Sequence, residues 1–234
     1  MHQYRLIYKE TNPGSFPVDP WTSYSHILLL IVVVYWSFKV LPVFKEHRFM
    51  AFSLILISLN LIGSFVYHSF RGALIWVLLD SLPIALLTVF IAVHYVRRVF
   101  RAWYATIAVI AIPVIIIFSF HSLFKLSPDD RPNISYFAIG IPLVFTMVTY
   151  LGVTNWNNWK LMAGAVACVI IAIFCRIADT MYNIPFLYMG THWLWHIFST
   201  ISAHLLLTYM YLDDVRRQRK YKSLPEATFY LDAG

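Results

Sequence analysis

Apolar residues run in long unbroken stretches along the chain, and the polar ones gather between them. A membrane-crossing helix needs about 20 mostly apolar residues. Seven stretches reach that length: Thr22–Phe44, Phe49–Phe70, Ala73–Val96, Trp103–Phe124, Pro132–Val153, Trp159–Ile177 and Thr191–Leu212. The connections are short: Lys45–Arg48, Arg71–Gly72, the turn carrying Arg97, Arg98 and Arg101, then Lys125–Arg131, Thr154–Asn158 and Ala178–Gly190. None is long enough to separate domains, and no internal repeat of the kind that marks transporters is visible. The pattern predicts an all-α integral membrane bundle of seven transmembrane helices. It forms a single domain over residues 1–234, with an outer N-terminal segment (1–21) and a basic tail (213–234). Pro83, Pro113 and Pro142 fall inside spans and are expected to kink them locally.

Composition agrees. Of 234 residues 60% are hydrophobic and 12% charged, against about 25% charged in an average soluble domain. Mean hydropathy is +0.67. Disorder, collagen and coiled coil are excluded by the apolar excess and the absence of a short repeat. The formal charge is +7. The basic residues lie between and after the apolar runs, which points to topology and anionic lipid headgroups rather than nucleic acid. Cys168 and Cys175 share one apolar run, and residues seven apart on a helix are about 10 Å apart, too far for a disulfide. The first 20 residues have no apolar core, so no cleavable signal peptide is expected and the first span is read as the insertion signal.

An odd number of spans puts the termini on opposite sides. The C-terminal side takes 12 Lys and Arg: Lys39, Lys45, Arg48, Arg97, Arg98, Arg101, Lys160, Arg216, Arg217, Arg219, Lys220 and Lys222. The N-terminal side takes 6: Arg5, Lys9, Arg71, Lys125, Arg131 and Arg176. The positive-inside rule then places the C-terminus in the cytoplasm and the N-terminus outside.

Ionisable groups within a bilayer are costly and mark function by default. Span 2 carries Asn60, Ser64 and His68, each one helical turn from the next, so the three form one polar stripe. Span 3 carries Asp80. Span 7 opens with His192-Trp193-Leu194-Trp195-His196, which again places two histidines one turn apart. At 1.5 Å per residue, His68 lies about 5 Å, His192 about 2 Å, His196 about 8 Å and Asp80 about 10 Å below the outer end of its span. Three imidazoles and a carboxylate thus share one outer slab. Three imidazoles with an open position suit a catalytic zinc, with Asp80 to accept a proton from water and Ser64 to hold the water or a developing oxyanion. Spacing alone leaves a second reading open, in which the histidines and Asp80 are hydrogen-bonded packing residues and Ser64 bonds its own helix carbonyl. Arg176 and Asp179, three residues apart, read as a local ion pair or as substrate-headgroup contacts, and Asn60 as a further possible substrate contact. His26 and His121 lie near the outer side and read as interfacial or as lining an entrance, and His204 points away from the cluster.

The segments Gly63-Ser64-Phe65-Val66-Tyr67-His68, Leu78-Leu79-Asp80-Ser81-Leu82-Pro83 and His192-Trp193-Leu194-Trp195-His196-Ile197-Phe198-Ser199 together resemble the alkaline ceramidase family. That family belongs to a superfamily that also takes in the adiponectin and progestin receptors and lipid-remodelling hydrolases. The resemblance implies seven spans and zinc bound by His68, His192 and His196. It also implies Asp80 and Ser64 beside the reacting water, and hydrolysis of a ceramide-like lipid amide to an amine and a fatty acid in a buried, lipid-accessible cavity. The chain departs from the family in two places. The stretch Val18-Asp19-Pro20-Trp21-Thr22-Ser23 has one carboxylate where the family binds calcium, and calcium needs six to eight oxygens, so no calcium site is expected. The spacing from His68 to Asp80 is about one residue longer than in the eukaryotic enzymes. A short chain without processing signals points to a bacterial inner membrane. The receptor branch supplies the alternative, a seven-span lipid-binding protein with a structural zinc. A b-type haem carrier needs histidines on facing helices, which a pair on one helix does not provide, and a retinal protein needs a lysine that span 7 lacks.

Overall fold

A computed structural model describes residues 7–124, 130–182 and 185–222. Seven helices follow one another: α1 (Pro20–Val40), closed by a 3-10 turn (Leu41–Val43), then α2 (Arg48–Phe70), α3 (Leu74–Val99), α4 (Trp103–Leu123), α5 (Asp130–Val153), α6 (Trp159–Met181) and α7 (His192–Lys222). The described residues contain no strand. Six helices, α1 to α6, are long and apolar enough to cross a membrane. α7 has the length, but His192, His196, His204 and its serines and threonines dilute its hydropathy, and its last turns carry Asp213, Asp214, Arg216 and Arg217. Large apolar side chains point outward all round, among them Ile31, Ile55, Ile62, Ile115, Phe145 and Phe174. A multi-pass membrane protein has this surface, because the solvent it meets is hydrocarbon. Arg5 and Lys125 of the charge count, and the tail beyond residue 222, lie outside the described residues.

α7 packs along α6 and against α1, α1 packs against α2, and α2 runs along α3. α3 and α5 pack together, with α4 at the edge against both. α4 accordingly buries only Val109 and Pro113. α5 and α6 barely touch. Pro83, Pro113 and Pro142 lie within helices that continue through them.

The core toward the end of the bundle away from the histidines is large and aromatic: Trp36, Met50, Ile57, Tyr95, Met147 and Tyr209 are fully buried. The Trp36 indole N–H donates to His204 Nδ1 at 3.2 Å, so His204 is a packing residue of this core. Below it Asp213, buried on α7, accepts from Tyr150 Oη at 2.9 Å and pairs with Arg98 at 2.5 Å and with Arg216. This network joins α3, α5 and α7.

At the other end the N-terminal segment crosses the bundle. Its Val18 and Asp19 N–H groups donate to the Ser69 and His68 carbonyls at 3.0 Å, which satisfies the last turn of α2. α1 begins at Pro20 with no local cap. Instead the Glu10 carboxylate takes the N–H of Trp21 at 2.6 Å and that of Thr22. Burial pushes the Glu10 carboxyl up, and the bonds from Thr22 oppose it. α2 ends in a left-handed residue that is Arg71 (φ 50°) rather than Gly72.

Gly63 sets the α2–α3 crossing. A Cβ placed there meets Leu79 Cβ at 2.3 Å and the Leu79 carbonyl carbon at 2.5 Å. The contact partner is the residue before Asp80, so this crossing also fixes how Asp80 stands against Ser64. Gly63→Ala is expected to lose about 1–3 kcal/mol by overpacking. Thermal unfolding in detergent measures it, and an unchanged midpoint contradicts so close a crossing.

Candidate metal centre

Each histidine of the cluster is placed by a different device. His68 comes from the last turn of α2. Its Nδ1 lies 2.8 Å from Asp19 Oδ2, and both side chains are buried, at 1% and 0% exposure. Asp19 also accepts from Thr11 Oγ1 at 2.7 Å and from Arg71 Nε at 2.7 Å. Burial pushes its carboxyl up and Arg71 opposes that. The one carboxylate of the stretch 18–23 therefore has a guanidinium as its cation. A carboxylate on Nδ1 fixes the ring and leaves Nε2 as the ligating atom. His68 Nε2 is buried with no partner among the described residues.

His192 opens α7, and α6 holds it there. Asp179 Oδ1 accepts the N–H groups of Thr191 at 2.6 Å and His192 at 3.1 Å. A carboxylate at a helix N-terminus satisfies its unpaired donors and complements its dipole. Gly190 makes this possible: its φ is +73°, and a Cβ there meets Asp179 Oδ1 at 2.1 Å. The Tyr8 ring from the N-terminal segment stacks on His192, centres 3.6 Å apart. Burial pushes the Tyr8 phenol up, so it is neutral. His196 follows one turn on, with Nε2 3.2 Å from His192 Nε2.

The ligand atoms of His68, His192 and His196 all lie within 4.8 Å of one another. Their ring centres are 5.0, 5.1 and 5.4 Å apart. Imidazoles radiating from a tetrahedral ion at 2.0–2.1 Å put their nitrogens about 3.3 Å and their ring centres about 5 Å apart. Two imidazole nitrogens at 3.2 Å need a proton or a cation between them. The donor set, its spacing and the orphaned His68 Nε2 all fit a metal ion.

A cavity of about 210 Å³ meets this centre. Asn60, Asp80, Tyr136, Arg176, His192 and His196 line it, and apolar residues from Leu29 and Ile57 to Leu143 and Leu206 continue it. Asn60 Nδ2 donates to the Asp80 carbonyl and so ties α2 to α3 beside the carboxylate. Ser64 is buried next to these groups, with its hydroxyl beside the Asp80 carboxylate. Arg176 reaches the cavity with its Nε on Asn133 Oδ1 at 3.0 Å and its guanidinium over Tyr136 and Trp195. Among the described residues it makes no ion pair with Asp179. Asp179 caps the start of α7 and is not among the residues that line the cavity. His26, expected at the interface, is buried against His196 and His68.

Sequence reasoning passed over Tyr8, Glu10, the role of Gly190 and the part played by Asp19, and it put His26 outside the cluster. Nothing local links Asp19 to His68, 49 residues on. Comparison of the chain with protein-family models, with characterised proteins and with solved structures gives no match.

Asp19→Ala removes the buried carboxylate that pairs with Arg71 and frees the His68 ring. The expected cost is about 3–5 kcal/mol of stability and about 10–100-fold in metal affinity. Chemical unfolding and competition with a chromogenic chelator measure the two, and wild-type metal affinity in the variant contradicts the role given to Asp19.

Proposed function

We propose that this chain is an intramembrane, zinc-dependent hydrolase of lipid amides, with ceramide-like molecules as the substrate class. One observation carries the reading: three histidines, two of them buried and His196 half-buried, converge at a largely apolar cavity that Asp80 also lines. His192 and Leu206 both line that cavity, and 14 residues of helix separate them, about 21 Å of rise. A fatty-acyl chain matches that length and chemistry. The weak contact between α5 and α6 gives lipid a lateral way in. The resemblance of the segments around His68, Asp80 and His192–His196 to alkaline ceramidases supports the same conclusion.

In this proposal α7 is the seventh span. By the positive-inside rule, the 12 basic residues at the end away from the histidines favour a cytoplasmic position for that end. The histidines then open toward the outer side, and a bacterial inner membrane is the proposed location.

When bound by His68, His192 and His196, a zinc ion supplies Lewis-acid polarisation of an amide carbonyl and makes water acidic enough to attack near neutral pH. The protein's own residues do the rest. Asp80 accepts the proton of the attacking water and returns it to the leaving amine nitrogen as the C–N bond breaks, giving a carboxylate and an amine. Asn60 holds the backbone of Asp80 in place. Ser64 offers a hydroxyl to the oxygen that gains charge. Arg176 binds the polar headgroup. Three protein ligands would distinguish such a site from a structural zinc, which takes four.

Fluorescent lipid-amide hydrolysis by detergent-purified protein tests the proposal. His196→Ala is expected to lose both metal and turnover. Asp80→Asn is expected to keep the metal and lose about 10²–10⁴-fold in kcat. Full hydrolysis in both variants overturns the assignment. Bound zinc with no turnover of any lipid amide by the wild type returns the chain to the lipid-binding, receptor-like alternative.

A further inference from the structure

Four imidazoles meet at this end of the bundle. His26 projects from the second turn of α1 and is 3% exposed. Its ring centre stands 4.7 Å from that of His196 and 5.9 Å from that of His68. Its Nδ1 lies 2.7 Å from the Thr22 carbonyl oxygen, one turn earlier on the same helix. A carbonyl only accepts, so the hydrogen of the neutral ring sits on Nδ1 and Nε2 carries the lone pair. That Nε2 is buried, and no donor reaches it among the described residues.

An acceptor buried without a donor needs an explanation. Packing alone favours an apolar ring here, since a phenylalanine leaves no lone pair unsatisfied. His26 also does not join the set of three whose ligand atoms lie within 4.8 Å of one another. Its ring stands directly against that of His196 and near that of His68. Its lone pair suits a group that carries a hydrogen and is held at the cluster.

We propose that His26 is a positioning residue for the attacking water, with Nε2 accepting one of its hydrogens while Asp80 accepts the other. The inference rests on the hydrolase reading and deepens it. Water has two hydrogens, and holding both turns its lone pairs toward the centre and the substrate carbonyl carbon. Orientation of this kind lowers a barrier before any bond changes. The Thr22 carbonyl is what keeps His26 in the accepting tautomer. Glu10, bound to the N–H of Thr22, anchors that turn of α1.

The test compares wild type, His26→Phe and His26→Gln, each loaded with cobalt(II) in place of zinc. Phenylalanine keeps the ring without the lone pair, and glutamine keeps an acceptor. All three are expected to hold one cobalt per chain with affinities within about threefold. The visible cobalt absorption, which reports the fourth position, is expected to shift in His26→Phe and to return toward wild type in His26→Gln. On a lipid amide, kcat of His26→Phe is expected to fall by about 10–100-fold, the range seen for groups just outside a metal's ligands, with KM unchanged. A wild-type cobalt spectrum in His26→Phe overturns the inference and makes His26 a packing ring. Loss of cobalt from His26→Phe, with the circular dichroism of the wild type, also overturns it and makes His26 a ligand. Cobalt bound by the wild type without hydrolysis defeats the hydrolase reading alone, and the spectra still decide the role of His26. A wild type that binds no cobalt defeats both.

Discussion

The Asp19 carboxylate is wholly enclosed, and four groups that must stay put depend on it. It receives Thr11 from the N-terminal segment, Arg71 from the end of α2 and the His68 ring, and its own backbone starts α1. A buried carboxylate is costly unless its charge is balanced and its lone pairs are filled. Here Arg71 balances the charge, and it adopts a left-handed backbone to do so. Glycine ordinarily takes that conformation at the end of a helix. The departure is intelligible because Gly72 has no side chain with which to answer Asp19.

From that ion pair the site extends in two directions. Across the end of the bundle, the N-terminal segment lies over His192 through Tyr8 and reaches Asp179 through the Lys9 N–H at 3.4 Å. Asp179 in turn fixes the first residue of α7. A segment outside the apolar spans therefore couples the two helices that supply the histidines. Down the bundle, the polar stripe of α2 meets Asp80 at the crossing that Gly63 permits, and the cavity is mostly apolar beyond Asn60 and Asp80. The histidines, Asp80 and Arg176 gather at one end, and the other end is clamped by the Asp213 network. Such a division fits a reaction on one polar bond of a molecule whose remainder is hydrocarbon.

The helices were legible because membrane spans announce themselves by length and apolarity, and the expected limits of α2 to α5 match the observed ones to within three residues. α7 is the exception: it is a full-length helix, yet the histidines that make it interesting also lower its hydropathy. His68, His192 and His196 were legible as a group from spacing and depth, since residues one turn apart on a helix must share a face. Asp19 and His26 were not. Their importance comes from contacts made across 49 and 170 residues of sequence, to His68 and to His196, and no local pattern encodes such a meeting. Asp179 looked like a pairing partner for Arg176 because three-residue spacing favours that on a helix. The free N–H groups at the start of α7 hold it instead, through a tight turn that only Gly190 allows.

The account turns on whether the three histidines hold an ion. Elemental analysis of the detergent-purified protein, beside the His192→Ala/His196→Ala double variant, addresses this most directly. The expected result is one zinc per chain in the wild type and none in the variant. Equal metal content in the two proteins contradicts the centre, and with it the proposed chemistry.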